Sequence, residues 1–174
     1  FKRIALALIE YVSRFLTEPQ TGFFYESQDA DVRGAEEGLF VTGTEYYALS
    51  ESRRLAIGLP HVDQRTFTGS NALMARSYLH AAPVLGKPEI EELALHTLSR
   101  LFEQRFDVKR GLAHVETEGV HGLYGLLSDH ILFGQALVEA FSATGQSRFL
   151  KNAEAIAEVS QQLLQDALHG GFFD

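Results

Sequence analysis

Cysteine and tryptophan are both absent from the 174 residues, and methionine occurs once. Without cysteine the chain can form no disulfide, no thiolate metal site and no cysteine nucleophile. Without tryptophan it lacks the broadest aromatic face used to stack a sugar ring. No apolar run reaches the length of a membrane span, and no leader-type n- and h-region opens the chain, a pattern that suits the cytoplasm. Lys and Arg total 15 against 23 Asp and Glu, a net charge of −8. That balance disfavours binding to a phosphate backbone. The basic pairs Lys2-Arg3, Arg53-Arg54 and Lys109-Arg110 are scattered and read as solvated faces, so no nucleic acid and no membrane is expected as a partner. Walker, dinucleotide, nucleophile-elbow and H-E-x-x-H motifs are also missing, and no cofactor is expected.

What is present is a 45% hydrophobic composition organised as helices. Residues 1–17 carry apolar side chains at Ile4, Leu8, Tyr11 and Phe15. A turn at 18–22 and the aromatic run Phe23-Phe24-Tyr25 follow, with a further strand expected at 39–41. Thr44 is placed to cap a short helix reaching Ala56, which Gly58-Leu59-Pro60 ends. Four stronger helices come next. Ser70 suits the N-cap of 71–83, and Pro88 the first turn of 88–105. Helices at 129–143 and 147–165 complete the set. Those at 71–83 and 129–143 are apolar nearly all round, whereas 88–105 and 147–165 carry one stripe each. The first helix of each pair therefore lies inside and the second outside.

The pairs are in register. Gly86 and Gly145 stand between helices 59 positions apart, and Gly111 and Gly170 close the pairs at the same spacing. The closing segments TGFFYE (21–26), RGLAHVE (110–116) and HGGFFD (169–174) resemble one another. This period is too long for tetratricopeptide or ankyrin units. The expected fold is all-α, a partial toroid of helical hairpins with short β segments in the inter-hairpin loops. Residues 1–174 form one such domain with five main helices. Residues 1–17 match the second helix of a hairpin, which reads as a fragment of a longer toroid.

Several segments carry a resemblance in consistent order. SQDADVRGAEEGLFVTGTEY (27–46), DQRTFTGSNALMARSYLHAA (63–82), GLLSDHILFGQALVEAFSATGQSRFL (125–150) and HGGFFD resemble the spermatogenesis-associated, thioredoxin-plus-toroid family. The resemblance implies an (α/α)6 toroid similar to N-acylglucosamine 2-epimerases and six-hairpin glycosidases. It also implies a thioredoxin-like domain elsewhere in the full-length chain. The sequence departs from the family at Gly43, Ser70 and His130, where aromatic residues are expected.

Loops after each outer helix and N-termini of each inner helix should share one face of such a toroid. That face collects Asp29, Asp31, Glu36, Glu37, Asn71, His114, Glu116, His121, Asp129 and His130. Asp129 and His130 are the candidate catalytic pair. Asp29, Asp31, Glu37, Asn71, His114, Glu116 and His121 are candidate substrate contacts, with a small-molecule sugar as the expected ligand. Each has a plainer role open to it: an N-cap for Asp129, a neighbour's hydrogen bond for His130, a helix-start bond for Asn71. Asp29-Ala30-Asp31 with Gly34 starts like a calcium loop, but Arg33 and Phe40 occupy slots that need oxygen ligands. Alternation puts His114 and Glu116 on one strand face, yet no third ligand has zinc spacing, so no metal is expected. Three functions stay open: a sugar epimerase or isomerase-like toroid, a non-catalytic binding or scaffold module serving the thioredoxin-like domain, and a self-associating structural element.

Overall fold

The computed structural model describes residues 1–33, 38–117 and 120–173. Glu36, Glu37 and Asp174 lie outside the described residues, as does the side chain of His121. Among those described, the helices are α1 (Lys2–Phe15), α2 (Gly43–Ala48), α3 (Glu51–Ile57), α4 (Thr68–Leu85), α5 (Pro88–Arg105), α6 (Leu127–Thr144) and α7 (Ser147–Leu164). The strands are short: β1 (Ser27–Gln28), β2 (Val32–Arg33), β3 (Phe40–Val41), β4 (Val62–Asp63), β5 (Thr66–Phe67), β6 (Phe106–Asp107), β7 (Gly111–Thr117) and β8 (Val120–Tyr124). The fold is all-α, a stretch of an (α/α)6 toroid, and its five long helices are those read from the sequence.

Helix α4 packs on α5, α6 on α7, and α4 on α6. The core runs through Ala72, Ala75, Leu79, Leu98, Leu101, Phe133 and Leu137, all buried. Helices α4 and α6 are the inner pair because their apolar residues occur on several faces. The outer helix α5 buries one line, Ile90, Ala94, Leu98, Leu101 and Arg105. Gly86 at φ 68° and Gly145 at φ 69° close the two inner helices in the left-handed conformation that glycine adopts without strain.

The outer helices end in a repeated loop. Thr17 bridges to Phe24 and Gln165 to Phe172, each as an isolated antiparallel pair. Their flanking bonds match: Glu18 N–H to Phe23 O at 2.8 Å and Tyr25 N–H to Leu16 O at 2.9 Å, against Asp166 N–H to Gly171 O at 3.0 Å and Phe173 N–H to Leu164 O at 2.7 Å. The middle loop pairs Phe106 with Leu112 inside the sheet β5-β7-β6. Phe24, Leu112 and Phe172 are therefore equivalent positions. The expected strand at 23–25 is reduced to this single bridge.

Four local expectations are corrected. In α1, Ala5, Leu6, Ile9 and Val12 face the core, while Ile4 and Leu8 are 59% and 61% exposed. Tyr11 and Phe15 instead border a cleft shared with Tyr46, Tyr47 and Arg54. The helix expected from Thr44 to Ala56 is two helices, broken by extended backbone at Leu49 and Ser50. Its cap is Thr42, which forms a capping box with Glu45 and so satisfies two free N–H groups at once. Ser70 is no cap, because α4 already begins at Thr68.

Gly111 is fixed by two constraints. Its φ is 81°, and a Cβ there would stand 2.5 Å from His130 Nε2, on a ring held by the backbone on both sides. Gly86 also has positive φ but faces open space. Urea unfolding of the full-length protein should show Gly111→Ala losing about 2–4 kcal/mol, and Gly86→Ala about 1 kcal/mol. Equal losses would show that the close approach to His130 costs nothing.

Candidate functional site

The N-terminal turns of α4 and α6 each carry one buried polar side chain that ties the helix to the preceding closing segment. Asn71 Oδ1 accepts from Phe24 N–H at 2.7 Å, while its Nδ2 donates to Phe24 O at 2.9 Å and Phe67 O at 3.0 Å. His130 stands one period later. Its Nε2 accepts from Leu112 N–H at 3.2 Å, and its Nδ1 lies 2.7 Å from Leu126 O. Phe67 and Leu126 are themselves one period apart, so the two ties are the same device. A backbone N–H can only donate, so Nε2 of His130 is unprotonated and Nδ1 carries the hydrogen. Both nitrogens are thereby used by backbone groups, and the ring is 2% exposed.

Asp129 reaches across rather than capping its own helix, whose N-cap is Leu126. Its Oδ1 accepts from Gly69 N–H of α4 at 3.0 Å. A free N–H in the first turn of one inner helix is thus satisfied by a carboxylate from the next. Gly69 allows this, since a Cβ there would meet Oδ1 at 2.8 Å. Asp129 Oδ2 lies 2.8 Å from His114 Nδ1. Asp129 is 3% exposed at its side chain and His114 29%, so the pair has one buried and one accessible member. Burial pushes the Asp129 carboxyl above the usual carboxylate range, against the opposing pull of His114 and of Gly69 N–H. With Nδ1 committed to Asp129, Nε2 is the other ring nitrogen of a partly exposed side chain. The Phe67 ring holds the imidazole edge-on, with centroids 5.0 Å apart.

Glu116 follows two residues along β7, on the same strand face as His114. Beneath it lies Arg105, whose side chain is fully buried. Its guanidinium donates to Thr66 O at 2.7 Å, to Thr66 Oγ1 at 2.5 Å and to Glu116 Oε2 at 3.4 Å, and stands over the Phe23 ring at 5.3 Å. Burial lowers the Arg105 pKa, with Glu116 and Asp129 opposing. Thr66 and Glu116 also border a cleft of about 470 Å³ that includes Tyr25, Glu18, Asp63 and Arg65.

The structure thus brings Asn71, His114, Glu116, Asp129 and His130 to one end of the inner helices. Backbone register sets His121 opposite Glu116. Asp29 and Asp31 are exposed and border a different cavity, with Arg33 and His61. Asp31 accepts from Gly43 N–H at 2.7 Å, a loop-shaping bond. Glu37 lies outside the described residues. Among those described, no group of three His or acidic side chains could hold a metal ion, and no helix is long and apolar enough to cross a membrane. Arg105 escaped the sequence reading. Its signal was there: it extends the Leu98–Leu101 line by one turn, where a charge must find buried partners.

No family model matches the chain. The fold is that of an (α/α)6 toroid. The chain is similar to a sugar epimerase from a ruminal bacterium, with TM-score 0.67 and 14% identity over 99% of this chain and 39% of that one. It is similar also to cellobiose 2-epimerase from Spirochaeta thermophila, with TM-score 0.68 and 15% identity over 97% of this chain and 39% of that one. An alpha-amylase from Clostridium perfringens shares the fold at TM-score 0.56 and 11% identity, over 95% of this chain and 39% of that one. In sequence, the chain has weak homology to spermatogenesis-associated protein 20. The human protein is 26% identical over 123 residues, 66% of this chain and 16% of its own length. The rat protein is 25% identical over 122 residues, 65% and 16% respectively.

Two mutant pairs separate structural from chemical roles. His130→Asn recreates the tie that Asn71 makes and should hold stability to within about 1 kcal/mol, whereas His130→Ala should lose about 2–4 kcal/mol by leaving the buried Leu112 N–H without its acceptor and a cavity where the ring stood. Thermal and urea unfolding of the full-length protein measure both. Asp129→Asn keeps an acceptor for Gly69 N–H and removes a buried charge, so it should cost about 1 kcal/mol or less, against about 2–4 for Asp129→Ala. Folding raises the Asp129 pKa, so wild type stands best relative to Asp129→Asn below about pH 3.9 and loses ground as pH climbs through the raised value. A difference that grows the other way would mean that His114 outweighs burial.

Proposed function

We propose that the face built by β7 and the N-termini of α4 and α6 binds a sugar and moves a proton at the carbon beside its carbonyl, as an epimerase or isomerase does. The observation that carries this is the Asp129–His114 pair, a buried carboxylate 2.8 Å from the Nδ1 of a partly exposed imidazole. In this reading His114 Nε2 takes the proton. The C–H electron pair moves into a C=C bond while the carbonyl π pair goes to oxygen, giving an enediolate. Return of a proton to the other face of that carbon gives the epimer. Asp129 fixes the imidazole tautomer and steadies the imidazolium formed. Asp129 therefore keeps its place in the chemistry, whereas His130 acts by holding α6 to β7. Glu116, steadied by Arg105, is a carboxylate for sugar hydroxyls on the same strand face. The likeness to sugar epimerases supports the reading at the level of fold, which by itself fixes no reaction.

A non-catalytic binding or scaffold module attached to a thioredoxin-like domain is the second reading. It is favoured by the chain's lack of tryptophan and by the capture of both His130 nitrogens within the fold. One experiment divides the two. The full-length protein is incubated with a panel of aldoses and disaccharides in D2O, and deuterium beside the carbonyl is followed by NMR. Exchange by wild type, lost by at least about a hundredfold in His114→Gln and retained in His130→Asn, is the expected result. Sugars that bind without exchange would leave the binding module as the function.

A further inference from the structure

A groove of about 490 Å³ lies between the outer helices α1 and α5, and Tyr78 of the inner helix α4 also lines it. Its walls are Leu6 and Ile9 on one side and Ile90 and Leu93 on the other. Tyr78 is 3% exposed, and its hydroxyl, cut off from solvent, has no hydrogen-bond partner among the described residues. Ser13 lines the groove too and opposes the rise that burial causes in the Tyr78 pKa, without closing a well-formed hydrogen bond to it. The Phe24 ring holds the phenol edge-on, with centroids 5.2 Å apart. A buried hydroxyl left in this state costs free energy. The place in the repeat does not require one. The next repeat has Leu137 where this one has Tyr78, and Phe102 where it has Ser13, and Leu137 is fully buried.

We propose that this groove is a binding site for an uncharged, mainly apolar molecule that presents one oxygen acceptor to the Tyr78 hydroxyl. The four aliphatic side chains match an apolar body, and the single donor fixes its orientation. The rim disfavours an anion. Glu10 and Glu89 outnumber Lys87 there, and Lys87 Nζ lies 3.1 Å from Glu89 Oε1. Glu89 also accepts from its own backbone N–H, so the first turn of α5 already has its negative charge. A cation would have to leave water among the aliphatic walls. The groove is separate from the sugar-binding face proposed above. Tyr78 lies seven residues, about 10 Å, along α4 from Asn71. Ile90 and Leu93 sit in the first turns of α5, at the opposite end of that helix from Arg105.

The test uses the full-length protein and does not rest on any catalytic activity. Cyclohexanone, an apolar ring with one carbonyl, is the probe, and cyclohexanecarboxylate is its charged counterpart. Binding of each is followed by saturation-transfer NMR. Cyclohexanone bound by wild type, and at least about tenfold more weakly by Tyr78→Phe, with cyclohexanecarboxylate left unbound, is the expected result. No binding of cyclohexanone to wild type, equal binding to Tyr78→Phe, or equal binding of the carboxylate would each overturn the proposal. Ser13→Phe copies the residue of the next repeat and should block the groove from the α1 side, and cyclohexanone binding that survives it would place the probe elsewhere. Thermal unfolding without any probe gives a second reading. Tyr78→Phe has no hydrogen bond to lose and should melt no lower than wild type. A Tm lower by about 3 °C or more would mean that a neighbour or a water already takes the bond, and the site would fall.

Discussion

A backbone N–H that is driven into a core must find an acceptor there, and in this chain the need arises at the same point of two successive repeats. Helices α1 and α5 each end in a short loop that carries a closing segment inward over the core. The N–H of Phe24, and one hairpin later that of Leu112, points at the first turn of the next inner helix. Asn71 and His130 meet it with an acceptor atom and use their second polar atom on the carbonyl four residues upstream. One side chain thus solves two buried hydrogen-bonding problems and fixes where the inner helix starts. The placement of β7, and so of every candidate site residue on it, follows from that anchor.

The anchor explains how a helical scaffold holds a polar site at one end. The first turn of an inner helix leaves N–H groups free, and the toroid brings such turns side by side. Asp129 exploits this by accepting from Gly69 of the neighbouring helix. The bond ties α4 to α6, and it aims the second carboxylate oxygen at His114. In the proposed reading, structural and chemical roles are therefore shared within one carboxylate. Removing its charge and removing its acceptor atom are different perturbations.

Much of this was legible in the sequence, for physical reasons. Helix placement was clear because an inner helix is apolar nearly all round and an outer one carries a single stripe, and because Gly86, Gly145 and Pro88 punctuate the chain where only such residues fit well. The repeat was legible in the glycine spacing. The partner of each polar residue was not. Asp129 beside a helix start reads as a cap, and only tertiary structure shows that its acceptor oxygen serves the helix next door. His130 reads as either a catalytic group or a side chain bonding a neighbour, and only the fold shows that its neighbours are Leu112 N–H and Leu126 O. The core-facing side of α1 was misread because that helix has two apolar faces, and periodicity alone cannot say which one meets the core.

Repeats also show where a protein departs from its own pattern. Equivalent positions that do the same work keep similar chemistry, as Asn71 and His130 do. Asp129 falls where the preceding repeat has Ser70. Arg105 falls where the other outer helices have Leu16 and Leu164, and His114 where the first closing segment has Glu26. A leucine at position 105 would close the outer helix with no buried charge to satisfy. The arginine instead recruits Thr66, Thr68 and Glu116 as partners. These three departures, far apart in sequence, converge on one end of the α4–α6 pair. That convergence supports the proposed reading, in which this end of the toroid binds a sugar or moves a proton.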